Sequence, residues 1–343
     1  MQVKISQAIS MIAKYLRAKL VPMIEGSPGQ GKSDIVKKIA NEYGLKLIDL
    51  RLSQCDPTDL MGFPSIGTNI NPAKAKAGYV PMDTFPIEGD EIPKGYNGWL
   101  LFLDELNGAA LGVQKAAYKL ILDRMVGNHP LHKNVAIVAA GNLDTDNAAV
   151  EMMSTALQSR LVHIELVPDA KEWIDWATEN GIDHRITDFI GFKTKALYTF
   201  TPDHTDKTYA CPRTWEFANR VINVTEDNDP DRLPMLAGAI SEGVAREFLT
   251  FMKIYEDLPK PAQIETSPET IKVPDEPSIL YALTGSIANN ITKDNAGQLM
   301  KFVKRIPVEF QVVCLRETVR RNKELLSHAA LQSWISNSAA KLF

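Results

Sequence analysis

The first half of the chain alternates short apolar runs with amphipathic stretches. Residues 20–24 form an apolar strand candidate followed by a Gly-rich turn. Ile35, Val36, Ile39, Ala40 and Tyr43 then recur at helical spacing, and Gly44 stands where a helix C-cap belongs. Residues 45–52 resume as a strand, and 99–103, 135–140 and 161–167 read as three more buried strands. Between them, Val113, Ala116, Ala117, Leu120 and Ile121 mark one helical face, and residues 148–159 predict a further helix. Strands alternating with helices imply a parallel sheet with helices on both faces, ending near Pro168. The first 23 residues, interrupted by Lys4, Lys14, Arg17 and Lys19, predict an amphipathic helix rather than a signal peptide.

Beyond Pro168 the pattern is helical. Asp169 and Glu172 have capping-box spacing, and the helix they open should stop at Gly181. Pro212 suits the first position of a helix running through Trp215, Ala218 and Ile222. Pro259, Pro261, Pro268, Pro274 and Pro277 suggest a linker over 259–278, with a last helical segment over 279–343. The expected organisation is an α/β core over 1–168, a helical lid over 169–258, that linker, and a C-terminal helical appendage. One stretch breaks the core pattern. Residues 53–98 carry many Gly and Pro and little periodicity, as expected of an insertion, and loops of this length are usually functional.

Composition narrows the class. At 45% hydrophobic and 23% charged, the 343 residues predict an ordinary globular protein large enough to bury its own core. The net charge of −4 argues against bulk DNA binding, although residues 301–343 hold eight Lys/Arg against three Glu. Cys55, Cys211 and Cys314 lack any C-x-x-C pairing, which fits reduced thiols and a cytoplasmic location. No apolar run approaches the roughly 18 residues that a membrane span needs.

Three motifs carry chemistry. Gly26-Ser27-Pro28-Gly29-Gln30-Gly31-Lys32-Ser33 matches G-x-x-x-x-G-K-[ST] in full, between a strand and a helix, as a phosphate-binding P-loop requires. Glycines let successive N–H groups converge on phosphate oxygens, and the helix N-terminus adds unpaired donors and a positive dipole end. Lys32 supplies a point charge for the β/γ-phosphates, and the Ser33 hydroxyl is a Mg²⁺ ligand. Leu100-Leu101-Phe102-Leu103-Asp104-Glu105 is an apolar strand ending in two carboxylates, at the sheet edge where such folds bind ligands. Asp104 suits the Mg²⁺ shell, and Glu105 suits polarisation of an attacking water. Asn142, at the end of the next strand, has an amide suited to positioning that water, or is a turn Asn.

With these motifs stand Asp59-Leu60-x-Gly62, Asp104-Glu105-Leu106-Asn107, Gly141-Asn142, Leu157-Gln158-Ser159-Arg160-Leu161 and Pro212-Arg213. In this order the chain resembles the MoxR-type AAA+ ATPases over residues 5–255, a clade with an insert before the second acidic strand. The resemblance implies a ring-forming ATPase, hexameric in its relatives, that uses ATP and Mg²⁺. It also implies that Asn142 is sensor 1, Arg213 is sensor 2 on a helical lid, and Arg160 is an arginine finger acting on a neighbouring subunit. Gly108 stands where the family usually has Arg, and Asn142-Leu143 where it usually has Asn-Pro, so this is a divergent member. The implied role is remodelling or maturation of a protein partner, such as one with a von Willebrand factor A domain. A DNA-acting motor and a slowly hydrolysing assembly scaffold are the alternatives.

Other features have plain expectations. Arg124 should pair with Asp123 or its helix C-terminus. His129 and His132 lack a nearby third ligand for a metal. Tyr79, Phe85 and Tyr96 either touch a substrate or pack the insertion. Arg316, Arg320 and Lys323 predict a solvated helix face.

Overall fold

The structure is a computed structural model that describes residues 2–66, 77–146 and 153–342. The chain divides into two compact units, residues 1–168 with 201–204, and residues 169–200 with 205–343.

Unit 1 opens with β1 (Gln2–Val3), α1 (Ile5–Arg17), β2 (Val21–Glu25), α2 (Lys32–Glu42) and β3 (Leu45–Arg51). After a 3-10 turn over Leu52–Gln54 come α3 (Pro57–Met61), β4 (Phe63–Ile66), β5 (Ala77–Val80), β6 (Gly98–Asp104) and α4 (Leu111–Leu122). A small hairpin of β7 (Met125–Val126) and β8 (His129–Pro130) precedes β9 (Val135–Gly141), α5 (Thr155–Gln158) and β10 (Leu161–Leu166).

The main sheet has the order β1-β10-β2-β9-β6-β3, and every pairing is parallel. Alternate residues of β6 explain its continuous apolar run. Leu100 and Phe102 pack with Ile12 of α1 and Ile35, Val36 and Ile39 of α2. Leu101 and Leu103 pack on the other face with Val113, Ala117 and Leu120 of α4. A sheet covered on both faces needs no polar side, so its strands read as unbroken hydrophobic runs. The fold is thus an α/β P-loop core with a parallel sheet and helices on both faces, followed by helices only.

The insertion is more structured than its breakers suggest. Leu60 and Phe85 are buried in the α4-side core, so parts of 53–98 belong to the core. What stays exposed is the β4–β5 hairpin, where Phe63, Ile66 and Val80 are each more than half accessible. Tyr79 and Tyr96 are exposed as well. Residues 148–152 of the expected helix lie outside the described residues; α5 begins only at Thr155, where Ser154 Oγ accepts the Leu157 N–H at 3.2 Å.

Unit 2 contains α6 (Ala170–Glu179), α7 (His184–Phe192), α8 (Pro212–Val224), α9 (Arg232–Ile240), α10 (Glu242–Glu256), α11 (Pro261–Thr266), α12 (Pro277–Asn290), α13 (Ala296–Val303), α14 (Val308–Arg321) and α15 (Ala329–Leu342). Asp169 caps α6, accepting the Glu172 N–H at 2.9 Å. A single hydrophobic cluster runs from Trp173 through Trp215, Phe248, Ile264, Leu283 and Leu315 to Trp334. The Pro-rich stretch is therefore not a free linker. Pro261 and Pro277 each occupy a first helical turn, where the missing N–H costs nothing, and Ile264 is fully buried. Two of the five prolines, Pro261 and Pro277, mark helix starts rather than a domain boundary.

Two arginines of the basic C-terminal segment, Arg320 and Arg321, turn inward, whereas Arg316 and Lys323 are exposed. Arg320 donates to Glu317 at 2.6 and 2.8 Å and to Asp175 at 2.5 Å. Arg321 donates to the fully buried Asp188 at 2.8 Å, and Tyr255 donates to the other Asp188 oxygen at 2.6 Å. Burial pushes the Asp188 carboxyl up, opposed chiefly by the Arg321 charge. The solvated face expected of Arg316, Arg320 and Lys323 is thus corrected for Arg320. Its guanidinium neutralises the buried Glu317 and pairs with the half-exposed Asp175.

Candidate functional site

The candidate site stands at the carboxyl ends of β2, β6 and β9, where a parallel sheet directs its loops. Gly29 and Gly31 have φ of 79° and 85°, values open to glycine and costly for a residue with a Cβ. They turn the chain so that α2 starts at Lys32 with Gly31 as its N-cap, a residue with no side chain to cap the N–H groups of the first turn. Those donors and the helix dipole make a ready anion seat.

Lys32 Nζ donates to Gly26 O at 2.5 Å, to Asn142 Oδ1 at 3.0 Å and to Ser27 O at 3.3 Å. Ser33 Oγ donates to Asp104 Oδ2 at 3.3 Å. Asp104 is nearly buried, and burial raises its carboxyl above the ordinary range, against the hydrogen bond from the Glu105 N–H. The Ser33 hydroxyl and the Asp104 carboxylate are adjacent hard oxygen ligands, a donor set that could hold a divalent ion such as Mg²⁺. Among the described residues no three His, Cys, Asp or Glu side chains gather into a metal centre.

Glu105 has φ 54° and ψ 38°, the left-handed region, which is unusual for a residue with a Cβ. Its carboxylate accepts a hydrogen bond from the Ser53 hydroxyl, just after β3. Backbone strain of this kind concentrates at functional sites.

Asn142 is itself held in place. Asn107 Nδ2 donates to Asn142 O at 2.7 Å, and Asn142 N donates to Asn107 Oδ1 at 3.1 Å. Gly141 is required here, since a Cβ would come within 2.2 Å of Asn107 Oδ1. Asn107 was legible as part of the Asp-Glu-Leu-Asn run but had no assigned role; Ser53 and Asp146 carried no sequence signal.

No family model matches this chain. It is similar to NtrX from Brucella abortus solved with ATP, at 14% identity and TM-score 0.41, over 92% of this chain and 67% of that one. The ADP complex of NtrX gives the same values. A protein from Cytophaga hutchinsonii described as a candidate ATPase shows 13% identity and TM-score 0.34, over 98% of this chain and 88% of that one. These likenesses are too distant to add to what the strand order and the site geometry show.

The fold brings Gly26, Ser27, Pro28, Gly29, Gln30, Gly31, Lys32 and Ser33 together with Asp104, Glu105 and Asn142 in unit 1. It keeps Arg160 apart from them. Arg160 Nη1 donates to Ala156 O at 2.9 Å and Ser159 Oγ at 2.8 Å, and the guanidinium lies 5.2 Å from the Tyr118 ring centroid. Beside it opens a cleft of about 330 Å³ lined by Leu111, Gln114, Tyr118 and Leu157. Arg213 belongs to unit 2, exposed at the second position of α8. Arg124 departs from its expected partners, donating instead to Val135 O, with its own φ at 54°. Two residues past α4, its guanidinium thus meets the first residue of β9. His129 bonds Tyr79 O at 2.8 Å, whereas His132 packs edge-on against Trp99.

Proposed function

We propose that this chain binds ATP with Mg²⁺ and hydrolyses it, as a ring-forming AAA+ ATPase of MoxR-like type that remodels or matures a protein partner in the cytoplasm. The observation carrying the nucleotide reading is the convergence of Lys32, the Ser33–Asp104 pair and Asn142 around the first turn of α2.

The P-loop N–H groups and Lys32 would bind the phosphates. Ser33 and Asp104 would hold Mg²⁺, which supplies charge neutralisation between the phosphates when bound. Glu105 would accept the proton of an attacking water that Asn142 orients. Arg213 would report on the γ-phosphate from the helical unit. Arg160, exposed beside an apolar cleft, would serve the site of a neighbouring copy in a ring, hexameric by analogy.

The DNA-acting alternative, which the resemblance to a clade with DNA motors leaves open, draws its residue-level support from the basic C-terminal segment. With Arg320 and Arg321 consumed by Glu317, Asp175 and Asp188, that segment offers fewer free charges to phosphates. The deciding experiment is equilibrium binding of a fluorescent ATP analogue to Lys32→Ala. Loss of binding is expected, because a methyl group replaces neither the charge nor the hydrogen bonds. Undiminished binding would sink the nucleotide reading.

A further inference from the structure

The turn after β9 grips the P-loop at two separate points. Asn142 takes the Lys32 ammonium at 3.0 Å, at the end of the loop that enters α2. Four residues on, Asp146 Oδ1 accepts the Ser27 hydroxyl at 3.1 Å, at the loop's other end. A backbone bond from Gly26 N to Gly141 O at 3.3 Å joins the starts of the two segments.

Asp146 is not placed as an ordinary turn acid. It closes a 3-10 turn through its N–H to Leu143 O at 3.1 Å, and its side chain turns inward. Asp146 and Ser27 are 8% and 6% exposed, and the second carboxylate oxygen of Asp146 is buried without a partner. Carboxylates in turns normally face water, where solvation is free. One kept inside with a single hydroxyl donor is retained against its desolvation, which marks a positional role. Ser27 itself occupies a position that the P-loop motif leaves open, so this contact is a feature of this chain and not of the motif.

We propose that Asp146 is a positioning residue that holds the first half of the P-loop in its anion-binding shape through Ser27, and so sets nucleotide affinity. The inference rests on the reading of the P-loop as an ATP site. Asp146 does not itself meet the phosphates. By fixing Ser27 it fixes the start of the loop and so the course of the peptide units from Gly29 on, whose N–H groups must be aimed before the nucleotide arrives; Pro28 has no N–H, and the Gly26 N–H is taken by Gly141 O. A loop free to adopt other shapes binds more weakly by the fraction of time it spends in them.

The test uses the full chain and five variants: Ser27→Ala, Asp146→Ala, their double mutant, Asp146→Asn, and Lys32→Ala. Binding of a fluorescent ATP analogue and steady-state ATPase are measured on each. Removing a hydrogen bond to a carboxylate should raise Kd and KM about tenfold in either single mutant, with kcat changed less than about threefold. The double mutant should be no weaker than the worse single, since both remove one contact. Asp146→Asn keeps an acceptor oxygen and should recover most of the affinity lost in Asp146→Ala. Singles with wild-type Kd, or penalties that add in the double, overturn the proposal. Should Asp146→Ala lose its cooperative thermal transition, Ser27→Ala, which removes only a hydroxyl, decides. Retained binding by Lys32→Ala would instead overturn the ATP reading on which all of this rests.

Discussion

Asn107 and Asn142 exchange two hydrogen bonds, 2.7 and 3.1 Å, between one side-chain amide and the backbone of the other residue. Through that exchange the turn after β6 dictates where the Asn142 side chain points, and Asn142 Oδ1 in turn meets Lys32. Asn107 is 2% exposed, so water cannot replace it. Asn107→Ala should lower kcat by roughly tenfold or more, because misplacing a group by an ångström is costly in a reacting geometry. Asn107→Asp, which keeps the acceptor but not the donor, should fall between. Steady-state ATPase of both variants, with thermal unfolding to establish folding, checks this. Wild-type kcat in Asn107→Ala would remove Asn107 from the site.

Glu105→Gln should bind ATP as tightly as wild type and lose most turnover, on the order of 10²-fold or more, since an amide cannot accept the water's proton. Single-turnover hydrolysis with saturating nucleotide reads the chemical step directly. Hydrolysis at the wild-type rate would assign the base elsewhere.

Arg160 is expected to act on a neighbouring copy. Arg160→Ala should bind ATP and hydrolyse almost none, since such guanidinium groups contribute roughly 10³–10⁵ in other P-loop enzymes. Mixed with Lys32→Ala protein it should regain activity, because one mutant keeps an intact pocket and the other an intact arginine. Co-assembly confirmed by native mass spectrometry, with activity no higher than that of the separate mutants, would refute the trans role.

The exposed β4–β5 hairpin is the part of the insertion best placed to meet a partner, because Phe63, Ile66 and Val80 are accessible and apolar. Replacing residues 64–78 with a short Gly/Ser linker should spare basal ATPase and abolish partner-stimulated activity. Tyr79, whose carbonyl holds His129, is retained in this variant. A large loss of basal ATPase in a folded protein would give the hairpin a place in the hydrolytic core.

The buried Asp188–Arg321 pair gives a stability prediction. Arg321→Met leaves a buried carboxylate uncompensated and should destabilise unit 2 by about 3–5 kcal/mol. Adding Asp188→Asn removes the orphaned charge and should recover part of that loss, a coupling that urea unfolding of the two single mutants and the double mutant measures. Additive penalties would mean that the pair does not interact energetically.

How much was legible in the residue string follows from the range of each interaction. β6 is recognisable from Leu100 to Leu103 because a strand buried on both faces must be apolar throughout. The P-loop is recognisable because its φ values demand glycines at fixed spacing, and Asp104 because it ends that strand. All are local constraints, written in consecutive residues. The prolines near 261 and 277 misled because Pro suits both a linker and a helix start, and only the burial of Ile264 distinguishes them. Arg320 resembled a surface cation because charge is visible in a sequence and its partner Asp175, 145 residues away, is not. The Asp146–Ser27 contact spans 119 residues and joins two otherwise ordinary turn residues. The sequence by itself determined the five central strands β2, β3, β6, β9 and β10, the helices α2 and α4 between them, and the chemistry of the phosphate loop, since these are short-range. Tertiary structure alone decided which buried charges are paired and what grips the P-loop, since those depend on strand ends brought together by the sheet.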